Sequence, residues 1–404
     1  MIKINNCITK ILSIDKNNSF AILTYLDFEK ELTPEFVFDY VNKMVNDNPI
    51  LKKEIIQLNN NFMFKDIENY DINNHINIKY IEKDSFNQDI NSIINNSFVS
   101  NTFFIVCYID KINKVSRVYF KINHAYTDGY KLINMLTKPI FERYNVPEFK
   151  RTTSVFKTIY HYIIGTIILL VMNIKIFLKI IFSKQSYSIK EDCDTDFIIC
   201  KPFMLDKIKK IASNNGITIN DFLYSLMVKT DKLYTGKNRN IQTCSPINVS
   251  KLEDTNNMCP LFNSINNSLD DKTLLQQVHN KFDNFKYSLF IPFLSFIINN
   301  LQYININIIS VLYESVINDC DYVYSNMIGP PKEVNENSDI NLSNIHFLTK
   351  SKGNLITFNI ISYNNNINII CSFNKGKIKD KKRFEKCIYK AYNNLINIDN
   401  TGFA

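Results

Sequence analysis

Between Lys157 and Lys175 the chain runs from Thr158 to Ile174 as a mostly apolar stretch, with His161 and Asn173 the clear exceptions. Its 17 residues stand at the lower limit for a helix that crosses a bilayer. Lys175, Lys179 and Lys184 follow among Ile and Phe, a pattern in which long side chains lift their charge out of an apolar interface. This stretch divides the chain into two halves of similar texture. A length of 404 residues suits two domains or one large two-lobed unit. The division expected is an N-terminal lobe over 1–150, a hydrophobic linker over 151–190 and a C-terminal lobe over 191–404.

In the first half, Ser19 to Leu26 is a short apolar run that reads as a strand. Thr33 is placed to cap a helix, with Pro34 at its first position and Phe36, Val37, Tyr40, Val41 and Val45 on one face. Phe86 to Phe98 reads as a further helix. Phe103 to Ile109 and Ser116 to Ile122 read as two strands around the Asp110–Asn113 turn. The second of these strands runs into Asn123-His124-Ala125-Tyr126-Thr127-Asp128-Gly129, after which Asp128 to Leu136 has the apolar spacing of a helix.

The second half opens with a strand over Phe197 to Phe203 and a helix from Leu205 to Ala212, stopped by Asn214-Asn215-Gly216. A longer helix is expected from Asn220 to Tyr234, with Gly236 just past its end. Strands follow at Asn240 to Val249, Tyr322 to Met327, Leu355 to Tyr363 and Ile367 to Phe373, and a closing helix covers Lys381 to Leu395. Strands and helices mix without a strict βαβ alternation, so the fold class is α+β.

Composition bounds the function. Hydrophobic residues at 45% make a folded chain rather than a disordered one. Asn, Ile and Lys are over-used, so Asn-x-Ser triplets such as Asn17 and Asn95 carry little meaning as glycosylation signals. The net charge of +8 is spread along the chain with no compact basic block, which argues against nucleic acid as a partner. It still favours attraction to phosphates and anionic lipid surfaces. The nine cysteines are odd in number and scattered, so neither a disulfide framework nor a metal site is expected, and a reducing, intracellular setting is favoured. Met1 to Ser13 has no cleavable signal pattern.

Chemistry concentrates in the loop after the 116–122 strand. A strand ending at Ile122 leaves His124 in the turn and Asp128 at the start of the next helix, where the carboxylate can fold back on the helix start or pair with a cation. Gly129 permits a close approach of backbone or ligand. An ordinary imidazole, titrating near 6.5, is suited to accept a proton from an alcohol. The plainer alternative is a turn whose His only satisfies a hydrogen bond.

The His-x-x-x-Asp-Gly run resembles the active-site motif of the superfamily of chloramphenicol acetyltransferases, condensation domains and wax ester synthase/diacylglycerol acyltransferases. The last of these fits best, because further segments match in order. Leu32-Thr33-Pro34 through Asn48-Pro49-Ile50-Leu51 resembles the family's first helix and its corner. Gly216-Ile217-Thr218-Ile219-Asn220-Asp221 resembles its Asn-Asp motif, and Ser245-Pro246-Ile247-Asn248-Val249 the segment beyond that helix. Ser325-Asn326-Met327-Ile328-Gly329-Pro330 resembles a Ser-Asn-x-x-Gly-Pro loop, and Leu355 to Tyr363 the late strand ending in Ser-Tyr. Two departures stand out: Asn123 replaces the first of two adjacent His, and the Asp-Phe-Gly-Trp-Gly motif of related plant acyltransferases is absent.

The resemblance implies two chloramphenicol-acetyltransferase-like lobes with the active-site channel between them. It implies transfer of a fatty acyl group from acyl-CoA to a long-chain alcohol or a diacylglycerol, with no metal or other cofactor. His124 would be the base, Asp128 would position it, and Asn220 would act from the second half near the reacting centre. Gly129, Asp221, Ser325 and Asn326 would line or bind substrate. Simple helix capping explains Asn220-Asp221 as well, and a turn explains Ser325-Asn326. If His124 and Asn220 share a site, one membrane crossing by 158–174 would separate them. The stretch is then an interfacial helix, an acyl-tunnel lining or a buried linker, and the interfacial reading makes the protein membrane-associated. Two rivals remain: an acyltransferase of this fold with another acceptor, and a catalytically silent membrane-associated scaffold.

Overall fold

A computed structural model of the chain describes residues 1–4, 7–13, 20–58, 61–96, 102–141, 194–248, 258–287, 317, 319–330, 341–350 and 355–398. The apolar stretch 158–182, and most of the linker expected over 151–190, lie outside the described residues. Among the described residues no helix is long and apolar enough to cross a membrane.

In the N-terminal part, β1 (Ile2–Lys3) leads to helix α1 (Cys7–Ser13) and then to β2 (Ala21–Phe28). Helix α2 (Pro34–Asp47) starts where expected: Thr33 accepts from the Phe36 N–H, Pro34 occupies the first turn, and Val37, Val41, Met44 and Val45 are buried. A hairpin of β3 (Lys53–Leu58) and β4 (Asn61–Asp66) follows, then β5 (Ile76–Tyr80) and the short helix α3 (Ile90–Asn95). The helix expected over 86–98 is thus shorter, because Lys83–Ser85 closes as a 3-10 turn and Asp89 precedes the first helical residue. Strands β6 (Phe103–Asp110) and β7 (Val115–Asn123) form the hairpin read from the sequence. Its turn is held by Asp110, which accepts from the N–H groups of Ile112 and Asn113 at 2.9 and 3.0 Å. These bonds, and first of all the one from the Asn113 side chain, pull the Asp110 carboxyl down to about 2. Helix α4 (Gly129–Thr137) follows β7.

The C-terminal part contributes β8 (Thr195–Ile199) and β9 (Phe203–Met204), both paired with a later strand. The single strand expected over 197–203 is therefore broken, at the segment carrying Pro202, which has no N–H to give a ladder. Helices α5 (Leu205–Asn214) and α6 (Ile219–Thr235) come next, the latter ending on Gly236 at φ 69°, a left-handed position that favours glycine. Then follow β10 (Asn240–Asn248), β11 (Met258–Asn266), α7 (Asp271–Tyr287), β12 (Tyr322–Ile328), β13 (Leu342–Thr349), β14 (Ile356–Tyr363), β15 (Asn366–Asn374) and α8 (Lys381–Ile396).

Among the described residues the strands form three sheets: β1-β4-β3, a five-stranded β13-β2-β7-β6-β5, and β11-β10-β12-β14-β15-β8 with β9 also on β15. One strand among the described residues is exchanged between the lobes. β13 comes from the C-terminal half but pairs antiparallel with β2 in the first lobe, from Leu342↔Phe28 to Thr349↔Ile22. The C-terminal lobe expected over 191–404 accordingly lends one strand to its neighbour. Each lobe has its own core, one around Val41, Phe120 and Leu136, the other around Phe222, Phe358 and Phe384.

Candidate active site

The ladder of β7 with β2 ends at Asn123↔Ala21, and the chain then turns through a short 3-10 segment, His124–Tyr126. Asn123 caps this turn, its side-chain oxygen accepting from the Ala125 N–H at 2.9 Å. The His124 N–H is in turn fixed to the Phe20 carbonyl at 2.9 Å. An Asn caps such a turn well through its amide oxygen, which gives a local reason for Asn at the position before the His. Asp128 is the N-cap of α4 and accepts from the Lys131 N–H at 2.9 Å. It is buried, so its carboxylate ties the helix start to the turn and holds the backbone on both sides of His124.

Gly129 leaves room for a neighbour: a Cβ there would lie 2.4 Å from the Met327 sulfur and displace it. Met327 belongs to β12 of the other lobe, so the two lobes meet closely beside the His loop at this glycine. Gly329 answers a similar need, since a Cβ there would lie 2.2 Å from the Ser362 carbonyl oxygen.

His124, Asp128, Gly129 and Tyr130 line one side of a cavity of about 200 Å³. β12 supplies Val323, Ser325, Asn326 and Met327, and the crossing strand and its end supply Phe347, Thr349 and Lys350. Leu355 and Thr357 line it from the start of β14, Cys244 and Pro246 from β10, and Met258 and Pro260 from β11. Ile11 and Leu12 of α1 line it together with Phe20. The lining is largely apolar, with polar groups from β12, the end of β13, β14 and the His loop. Burial pushes the nearby Lys121 ammonium down to about 7, and Lys350 adds to the effect.

Of the residues singled out from the sequence, His124, Asp128, Gly129, Ser325 and Asn326 therefore meet at one cavity. Asn220 and Asp221 are not among its lining residues. Asn220 sits in the first turn of α6, and its side-chain oxygen accepts from the Asn326 amide at 3.0 Å and from the Tyr324 hydroxyl at 3.1 Å. Burial raises the Tyr324 phenol well above its ordinary range, so it stays a donor. Asn220 thus stands one residue behind the cavity wall and holds Asn326. Asp221 is buried in a capping box: it accepts from the Thr218 N–H at 2.8 Å while its own N–H donates to the Thr218 hydroxyl at 3.2 Å. It also meets His279 Nδ1 at 2.8 Å, so its visible work lies within the C-terminal lobe. Among the described residues no cluster of three His, Cys, Asp or Glu side chains is arranged to hold a metal ion.

Residues missed in the sequence are those of α1 and β13. The first is a seven-residue helix in a segment read only as mixed. The second, Leu-Ser-Asn-Ile-His-Phe-Leu-Thr, lacks the alternation that marks a strand with one wet face, because both of its faces are covered along much of its length. The placement of His346 and Phe347 in this strand was not legible for that reason.

Comparison with known proteins bears on the fold. Residues 258–396 match the family model described as WS/DGAT C-terminal domain. No curated protein sequence matches the chain. Among solved structures, a wax ester synthase/diacylglycerol acyltransferase from Marinobacter aquaeolei VT8 superposes with a TM-score of 0.61 at 10% identity, covering 97% of this chain and 98% of that one. A trichothecene 15-O-acetyltransferase from Fusarium sporotrichioides gives 0.66 at 8% identity, covering 98% and 94%. The first condensation domain of the CDA synthetase gives 0.63 at 7% identity, covering 100% and 97%. The family match covers residues 258–396 alone, and over nearly the whole chain the fold is the α+β fold of these transferases and condensation domains.

Proposed function

We propose that this chain is an O-acyltransferase that moves a fatty acyl group from acyl-CoA to the hydroxyl of a long-chain alcohol or a diacylglycerol. One observation carries the reading: His124, on a turn fixed by Asn123 and by the Phe20 carbonyl, lines an apolar cavity together with Ser325 and Asn326 of the opposite lobe. A base on one lobe and hydrogen-bonding groups on the other suit a reaction that joins two substrates in the cleft.

In this mechanism His124 takes the proton of the acceptor hydroxyl as its oxygen attacks the thioester carbonyl. The new C–O bond and the negative carbonyl oxygen form together. Collapse of that intermediate breaks the C–S bond, and the imidazolium returns its proton to the departing thiolate. Asp128 acts on the loop rather than on the substrate, by capping α4 at a fixed place behind His124. Asn326 has an N–H engaged by Asn220, so its carbonyl oxygen remains to accept from the hydroxyl and aim it. Asn220 is a positioning residue, acting through Asn326.

The largely apolar lining favours a hydrocarbon substrate over a polar one, because burying an unpaired polar group there would cost several kcal/mol, on the order of 2–7. That supports a lipid alcohol over an amine as acceptor. Contact with a membrane surface follows as part of the same proposal, since such an acceptor partitions into bilayers. The test is turnover of labelled acyl-CoA with a long-chain alcohol by the purified protein. His124→Ala should lower kcat by about 10²- to 10⁴-fold. Equal turnover by wild type and variant would remove the assignment, and a wild type inactive with every thioester would favour a scaffold.

A further inference from the structure

The N-terminal thirteen residues do more than begin the first lobe. Ile2 and Lys3 pair with Phe64 and Met63 of β4, and the Ile4 N–H donates to the Phe62 carbonyl at 2.9 Å. Helix α1 packs against the His124–Tyr126 turn. Ile11 and Leu12 are 6% and 5% exposed, and both line the cavity that holds His124. Adjacent helix positions point about 100° apart. Burial of both therefore means the helix is wedged in, with one flank on the turn and the other on the cavity. Met258 and Pro260 of the β10–β11 hairpin line the same cavity, with Ile317 and Leu355.

We infer that α1 is the wall that selects substrates by hydrocarbon chain length, with Leu12 and Ile11 as the specificity-determining side chains. The inference rests on the acyltransferase reading and deepens it. Ile11, Leu12, Met258, Pro260, Ile317 and Leu355 offer only aliphatic, thioether or prolyl carbon, so a chain lying against them is recognised by apolar contact. Such contact discriminates by size: one methylene more or less changes kcat/KM by roughly 10- to 200-fold in a close-fitting pocket. The wall is also cheap to move. It is a single short helix, so its side chains can change in size without disturbing either main sheet. The chain lying there belongs either to the acyl donor or to the alcohol, and the shared chemistry is an unbranched hydrocarbon.

The experiment uses the full-length protein and three variants: Leu12→Ala, Leu12→Phe and the volume-conserving Leu12→Met. One arm varies the acyl-CoA chain against a fixed alcohol, and the other varies the alcohol against a fixed acyl-CoA. Leu12→Ala should move the optimum of one arm to longer chains, with about a tenfold gain in kcat/KM for the longer chain relative to the original optimum. Leu12→Phe should move the same arm to shorter chains, and Leu12→Met should leave it within about twofold. The arm that moves identifies which substrate lies against α1. Profiles that keep their shape in both arms, for both the Ala and the Phe variant, overturn the inference. If the Ala variant fails to fold, the Phe variant carries the same test. A wild type without turnover is a failure of the acyltransferase reading, so the chain-length order is then read by calorimetric titration with a series of straight-chain alcohols. A changed order in the variants keeps the wall, and an unchanged order removes it.

Discussion

At the scale of single residues, two glycines with similar contacts should behave differently. The atom that a Cβ at Gly129 would meet is the sulfur of Met327, the mobile part of a flexible side chain. At Gly329 it is the Ser362 backbone carbonyl, which accepts from the Gly329 N–H at 3.0 Å and cannot withdraw without breaking that bond. Gly329→Ala should therefore cost about 1–3 kcal/mol in denaturant unfolding. Gly129→Ala should cost under about 1 kcal/mol but lower kcat/KM, because the displaced Met327 enters the cavity. Equal stability losses would contradict this account. The pair Asn220 and Asn326 gives a second expectation. Asn326→Ala should lower kcat/KM by about 10²-fold through a misaimed hydroxyl. Asn220→Ala should act through the same group, so the double variant should be little worse than Asn326→Ala alone. Additive losses would mean that Asn220 acts independently. The sequence motif marked both residues but not their order, since the contact that links them spans 106 positions.

At the scale of elements, helix starts and tight turns were the most legible features, because their determinants lie within three or four residues. Thr33 and Gly236 stand where capping chemistry places them. The same locality sets α6, whose capping box places Thr218, rather than Asn220, at the helix boundary. Thr218→Ala should cost about 1 kcal/mol, measured as a lower unfolding midpoint, with kcat nearly unchanged. Elements whose reasons are distant were read poorly. Asn359 of β14 shows why: buried, it accepts from the Thr349 N–H at 3.2 Å and the Thr349 hydroxyl at 3.1 Å while donating to the Ile370 carbonyl at 3.0 Å. One amide thus fastens the crossing strand to the second sheet beside the cavity. Asn359→Leu should cost about 1–3 kcal/mol by leaving those buried groups unpaired.

At the scale of the molecule, the exchange of β13 makes the lobes interdependent. A fragment ending at residue 150 would leave the β2 edge open along Ile22 to Phe28, a run that is apolar and buried except at Thr24 and Asp27. Such a fragment should aggregate or stay unfolded, as judged by circular dichroism and size exclusion. A stable monomeric fragment would show that β13 is dispensable. β13 also carries His346, stacked on Tyr25 with ring centroids 4.6 Å apart. Burial holds this imidazole down to about 3, and the same cause lowers His75. His346 is uncharged in the fold across this range and titrates near 6.5 when unfolded, so below that value the unfolded state binds more protons. Stability should fall as the pH drops from 7 to 5, by about 2 kcal/mol for His346 alone. Denaturant unfolding at the two values would measure it, and His346→Phe should remove most of that part.

Several features were legible in the sequence itself: the α+β class, the starts of the capped helices and the turn that carries His124 between a strand and a helix capped by Asp128. These depend on the periodicity of apolar side chains and on hydrogen bonds between residues a few positions apart, which any chain carries in its order. Tertiary structure alone decided that a strand from the second half completes the first sheet, that Asn220 reaches the cavity only through Asn326, and that α1 lines the cavity beside His124. Each of these is a contact between segments far apart in the chain. Its free energy comes from burying surfaces that meet only after both lobes have formed, so no local pattern encodes it.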